Sequence, residues 1–121
     1  MKESLIKDKS FQFSVRIVKM CRHLKETKNE YILSKQVLRC GTSIGANVRE
    51  ALNGESKADF IHKLGIVQKE ADETLYWLEL LKETEYIDEN AFISIHNDCM
   101  QLLKMIKSII LTTKQNLHQK K

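Results

Sequence analysis

Ser34-Lys35-Gln36-Val37-Leu38-Arg39-Cys40-Gly41-Thr42-Ser43-Ile44-Gly45-Ala46-Asn47-Val48-Arg49-Glu50-Ala51-Leu52-Asn53-Gly54-Glu55-Ser56 reads as one helix, its stop and the start of the next. Val37, Cys40, Gly41, Ile44, Val48, Ala51 and Leu52 fall on a single apolar stripe at 100° per residue. Ser34 is the expected N-cap, with Leu33 before it stapled onto Leu38. Gly54 serves as the C′ residue, and Ser56 caps the following helix with Asp59 three residues on. Gly41 and Gly45 lie four apart on one edge, and each costs about 1 kcal/mol of helix propensity relative to alanine. Close approach of a neighbouring helix is the compensation expected of both. A phosphate-binding reading of Gly41-Thr42-Ser43-Ile44-Gly45 lacks the P-loop lysine and a preceding strand.

The pattern extends in both directions. A helix over about 8–25 gathers Lys9, Gln12, Arg16, Lys19, His23 and Glu26 on one polar strip. Its remaining apolar arc is roughly 220° wide, about twice what one surface helix buries. The helix over 34–53 is followed by one over 56–84, whose core stripe is Phe60, Leu64, Val67, Ala71, Leu75, Leu78 and Leu81. Ile66, Trp77 and Leu80 form a second strip there. Asp88 caps a helix over 88–117, Ile87 can staple onto Phe92, and Ile93, Met100 and Leu111 make a further extra strip.

Four helices joined by short links give an all-α, antiparallel up-down-up-down four-helix bundle, one domain over residues 1–121. The absence of proline and the presence of only four glycines favour long helices over strands and turns. The surplus apolar strips exceed what one bundle covers, which predicts a homo-oligomer with Trp77 as an anchor of its interface.

Composition narrows the function classes. Apolar residues are 42% and charged residues 30%, a folded rather than disordered balance. No apolar run approaches the ~18 residues of a membrane span, and the N-terminus lacks a secretory signal pattern. Cys21, Cys40 and Cys99 fall on apolar faces, as reduced thiols of a cytoplasmic protein do. Net charge is +4 but unevenly spread: residues 1–30 hold eight Lys or Arg against four Asp or Glu, and residues 56–87 hold four against seven. Such asymmetry suits electrostatic pairing of subunits or a basic surface for nucleic acid.

Chemistry is harder to find. Asp59 with His62 is a single carboxylate–histidine pair, short of the paired motifs of di-iron bundles, so neither metal nor cofactor is expected. Arg16 and His23 share a helix face, and an RNA-cleaving bundle using them is a minor alternative. The basic strip of Lys9, Arg16 and Lys19, with the tail residues Lys120 and Lys121, is the candidate phosphate-contacting surface. Arg49 is expected to form a structural ion pair with Glu70 on the next helix.

The run Leu33–Ala51, with Ser56-Lys57-Ala58-Asp59-Phe60-Ile61-His62-Lys63-Leu64, Lys69–Leu81, Ser10-Phe11 and Val15-Arg16-Ile17-Val18, resembles the four-helix-bundle family encoded by intervening sequences in bacterial 23S ribosomal RNA genes. Cys40 departs from the serine common there. That family is similar in fold to the accessory protein of diversity-generating retroelements, a pentameric ring that engages nucleic acid and a reverse transcriptase. The resemblance therefore implies a ring-shaped homopentamer without enzymatic activity, with RNA or DNA and a nucleic-acid-processing protein as possible partners. A purely protein-binding oligomeric scaffold is the alternative.

Overall fold

The computed structural model describes residues 2–119, and side chains over 4–117. Its elements are α1 (Lys2–Lys28), α2 (Ile32–Leu52), α3 (Lys57–Glu83) and α4 (Glu89–Gln119), with no strand among the described residues. Each helix packs on two neighbours, α1 on α2 and α4, and α3 on α2 and α4, and among the described residues no backbones approach across the diagonal. Links at 29–31, 53–56 and 84–88 are too short to carry the chain back along a helix, so sequential neighbours run antiparallel. The cross-links agree: Arg39 pairs with Glu73 near one end of the α2/α3 seam, and Glu50 with Lys63 near the other.

The core is the inward stripe of each helix. Ile6, Phe13, Ile17 and Leu24 come from α1, and Val37, Ile44 and Val48 from α2. Leu64, Ala71, Leu78 and Leu81 of α3 meet Ile95, Cys99, Leu102 and Ile106 of α4. Helix α1 begins earlier than the expected residue 8 because Ile6 belongs to this stripe, one turn before Ser10 and 1% exposed.

The glycine pair is where α1 and α2 meet most closely. A Cβ built on Gly41 would lie 2.9 Å from Cγ1 and 3.0 Å from Cγ2 of Ile17. One on Gly45 would lie 3.1 Å from Oγ of Ser14 and 3.3 Å from the Ser10 carbonyl oxygen. Two serines on the facing edge of α1 leave room for this approach, and their hydroxyls bond back to the Lys7 and Ser10 carbonyls.

The helix ends correct one expectation. Ser34 is not the N-cap of α2: the helix starts at Ile32, and Ser34 is buried within its first turn. The capping group is the Glu30 carboxylate, which accepts from the backbone N–H of Ser34 at 2.8 Å and of Ile32 at 3.3 Å. Ser34 returns the favour through its hydroxyl, which donates to the Glu30 carbonyl at 2.9 Å. A serine can cap only where nothing better precedes it, and here a longer acidic side chain reaches the same donors first. Gly54 does stand at C′, directly after the Asn53 C-cap, although no glycine has positive φ among the described residues. Its smallness matters instead, because a Cβ there would lie 2.7 Å from Oδ2 of Asp59. Ser56 and Asp88 do cap α3 and α4, accepting from the N–H of Asp59 at 3.0 Å and of Ala91 at 2.8 Å.

Two outcomes test this packing. Gly41→Ala gains helix propensity, but it forces the β-branched, fully buried Ile17 aside, and overpacking of that kind costs about 1–3 kcal/mol. Gly65 has nothing within 4 Å of an added Cβ, so Gly65→Ala should gain about 1 kcal/mol. Thermal melts should therefore shift in opposite directions; a Gly41→Ala protein as stable as Gly65→Ala would refute the close contact. For Glu30, burial opposes ionisation, yet the backbone N–H groups of Ser34, Leu33 and Ile32 outweigh it and hold the carboxyl below its ordinary 4.5. A lowered folded-state value means stability that is present above pH 4.5 and lost as pH falls through the folded value. Urea titrations should show Glu30→Gln about 1 kcal/mol less stable than wild type near neutrality, with the gap closing as the wild-type carboxyl protonates. A gap independent of pH would contradict it.

Candidate nucleic-acid interface

On α1 the expected basic strip divides. Lys9 and Lys19 are exposed, but Arg16 turns toward α4. There its guanidinium holds Asp98 at 2.5 Å and donates to Oγ of Ser94 at 3.0 Å. Most of its charge is answered within the chain, so Arg16 is a strut between α1 and α4 rather than a free phosphate contact. Sequence could not foresee this, because the partners lie some eighty positions away. Lys120 and Lys121 lie outside the described residues. His23 is exposed, with Nδ1 3.3 Å from Oγ1 of Thr27, and Arg16 is two helical turns away with its head at Asp98. The fold does not bring the two into one cluster.

Arg49 does not pair with Glu70. Its guanidinium lies over the Phe11 ring, 5.2 Å from the centroid, on the α1 side of α2. The α3 side of α2 presents Arg39 instead, whose guanidinium stands 3.5 Å from Glu70 and also holds Glu73. The antiparallel register explains the exchange: the far end of α2 faces Lys63, and only its first half faces Glu70. Glu73 in turn accepts from Nε1 of Trp77 at 2.9 Å, and the Trp77 ring meets Tyr76 edge-on at 5.1 Å. Trp77, Ile66 and Leu80 are half-buried within the chain, whereas Ile93, Met100 and Leu111 of α4 are 46%, 45% and 59% exposed.

The α1/α2 seam carries a second surface. The wide apolar arc of α1 is only partly covered: Phe11 is 50% and Val18 37% exposed. Val18, Leu38 and Tyr31 line a groove of 420 Å³ floored by Cys21 and edged by Arg22, Lys25 and one carboxylate, Glu26. Phe11 with Arg49 continues the same seam past the glycine contact. Among the described residues Arg22, Lys25 and Arg49 form no ion pair. Lys7 and Lys35 fall on these faces by helical spacing. One signal for this surface was present in the sequence, since Lys7, Phe11, Val18 and Lys25 recur at helical intervals. Phe11 and Val18 read there as part of an apolar arc covered by the bundle and by contacts between copies, which concealed it.

The thiols are poor nucleophiles. Burial pushes Cys21 up to about 11, outweighing the opposing pull of Lys25, and pushes Cys99 up to about 12. Cys40 is raised as well, again by burial. No three His, Cys, Asp or Glu side chains converge as metal ligands among the described residues, and no described helix is long and apolar enough to cross a membrane.

The model of the 23S rRNA-intervening sequence protein family matches residues 2–108. The chain belongs to that family. A similar solved structure comes from Bacteroides thetaiotaomicron VPI-5482 and is described as a protein with unknown function from the S23 ribosomal protein family. It is 54% identical, with a TM-score of 0.90, over 91% of this chain and 98% of its own. No curated protein matches the chain. The four-helix fold of this family member is therefore shared with a crystallographically determined relative.

Proposed function

We propose that this chain is a non-enzymatic, self-associating accessory protein of the cytoplasm that contacts nucleic acid through the α1/α2 side of its bundle. The observation that carries the reading is the uncompensated charge of that side. Helix α1 holds eight Lys or Arg against three Asp or Glu, and α2 holds three against one. With Arg16 and Arg39 set aside as already paired with α4 and α3, nine cations still stand against four carboxylates on these two helices, whereas α3 holds four against six. Phosphates are the natural complement of such a face, and each one neutralised releases counterions. The contact is electrostatic and only weakly selective for sequence.

Self-association is the second part of the proposal, and the exposed stripe of Ile93, Met100 and Leu111 favours it. Lys104 and Lys107 lie among these side chains, so two copies of α4 would repel each other face to face. The acidic outer side of α3, with Tyr76 58% exposed on it, is the better match on a neighbouring copy. Unlike faces pairing head to tail close into a ring when the rotation allows, and the family resemblance drawn from the sequence puts the number at five. A ring repeats one modest basic patch several times, which raises avidity for a long polymer.

Sedimentation velocity with a labelled RNA oligonucleotide reads both parts together. The protein alone should sediment as a multimer at micromolar concentration, and the label should co-sediment at low salt and be released as salt rises. Each lost phosphate contact flattens the log–log salt dependence by about 0.7 on single strands and 0.9 on duplex DNA. Arg22→Glu with Lys25→Glu should therefore weaken binding at least tenfold and flatten the slope by about 1.4–1.8, with helicity retained. A monomer would overturn the assembly. Binding unchanged in the charge-reversed protein would overturn the surface, and a multimer that never carries RNA would favour the protein-binding scaffold.

A further inference from the structure

We infer that the α1/α2 seam takes single-stranded nucleic acid, with unpaired bases stacked on Tyr31 and Phe11 and the backbone held by Arg22, Lys25 and Arg49. The inference rests on the reading above that this side binds nucleic acid, and it names which form is bound.

Two aromatic rings stand open among the cations. Tyr31 is 58% exposed at the start of α2, and it occupies the N-cap position without making a side-chain cap bond, so capping does not account for its placement. Phe11 is 50% exposed and has the Arg49 guanidinium over its ring. A guanidinium fixed on an aromatic face is itself a flat, charged stacking surface beside a hydrophobic one. Between these two points lies the groove of Val18, Leu38 and Cys21, apolar at its floor and basic at its rim.

This order of features fits a flexible strand better than a duplex. A duplex buries the faces of its bases within its own stack and offers a protein mainly phosphates and groove edges. Exposed rings and an apolar slot give it nothing to match. An unpaired strand offers phosphates and free π-faces in alternation, and aromatic rings interleaved with a basic track accept both without regard to sequence. Phe11 and Lys25 are separated by about 21 Å at 1.5 Å per helical residue, long enough for several nucleotides. An acidic peptide could satisfy the cations but has no run of planar faces for the two rings. A second copy meeting this seam with its own would bring the same positive charge to the same place, and the acidic side of α3 is assigned above to the α4 stripe.

Fluorescence anisotropy with the full-length protein decides the matter, using a mixed-sequence single strand (as RNA and as DNA), its duplex, and poly-glutamate as competitor. The single strand should bind at least tenfold more tightly than the duplex. Tyr31→Ala and Phe11→Ala should each weaken single-strand binding about tenfold, the loss expected for one base–aromatic stack. Their salt dependence should stay unchanged, whereas Arg22→Gln and Lys25→Gln should flatten it. Tyr31→Trp should keep wild-type affinity, which separates stacking from damage to the fold. Equal affinity for both forms, with the aromatic variants silent, overturns this inference and leaves the phosphate-binding reading intact. Binding of neither form overturns both. Displacement by poly-glutamate as effective as by unlabelled single strand, or loss of assembly in the Phe11→Ala/Tyr31→Ala protein, also overturns it, assigning the seam to a peptide or to a second copy.

Discussion

Ile17 can sit over Gly41 because position 41 has no Cβ, and an added one would fall 2.9 Å from Cγ1 of that isoleucine. Both residues are buried, and Ile17 is β-branched and stiff, so the contact fixes the distance and rotation of α1 on α2. Gly45 against Ser10 and Ser14 repeats the constraint one turn along. With the two helices so close, the inward side of α1 is filled by Ile6, Phe13, Ile17, Cys21 and Leu24, and Phe11 and Val18 fall outside it. Phe11 and Val18 are therefore turned out onto the seam, beside Arg49, Arg22 and Lys25. Close packing within the bundle and the surface proposed for nucleic acid are two consequences of one contact.

The charges are partitioned by the same geometry. The α2/α3 seam matches charges in both directions: Arg39 of α2 serves Glu70 and Glu73 of α3, and Lys63 of α3 serves Glu50 of α2. Arg16 is matched by Asp98 of α4. Each of these pairs is at least partly open to solvent and contributes at most about 1 kcal/mol, so their main effect is to neutralise. Among the described residues, Arg22, Lys25 and Arg49 are left without an ion pair on the α1/α2 side, as are Lys104 and Lys107 on α4.

Much of the architecture was legible in the sequence because it depends on local rules. Helical spacing marked the core stripes, the glycine pair marked the close contact, and Ser56 and Asp88 marked two helix starts. Errors arose where a non-local neighbour decided the outcome. Ser34 looked like a cap until Glu30, reaching over the α1–α2 link, took the donors first. Arg49 was the expected partner of Glu70, and the register of α2 against α3 gave that place to Arg39. Arg16 looked free because its partners come from the last helix. Phe11 and Val18 belonged to an arc too wide for one bundle, which the sequence reading assigned to contacts between copies, because apolar residues on a wide arc read alike whatever covers them.

The central claim is that the bundle meets nucleic acid at the α1/α2 seam. Titrating the ¹⁵N-labelled protein with a short single strand and following backbone amide shifts locates the contact directly. Shifts should concentrate at Phe11, Val18, Arg22, Lys25, Tyr31, Leu38 and Arg49, and leave the outer face of α3 still. Shifts confined to Lys9, Arg16 and Lys19, or spread over α4, would contradict the account.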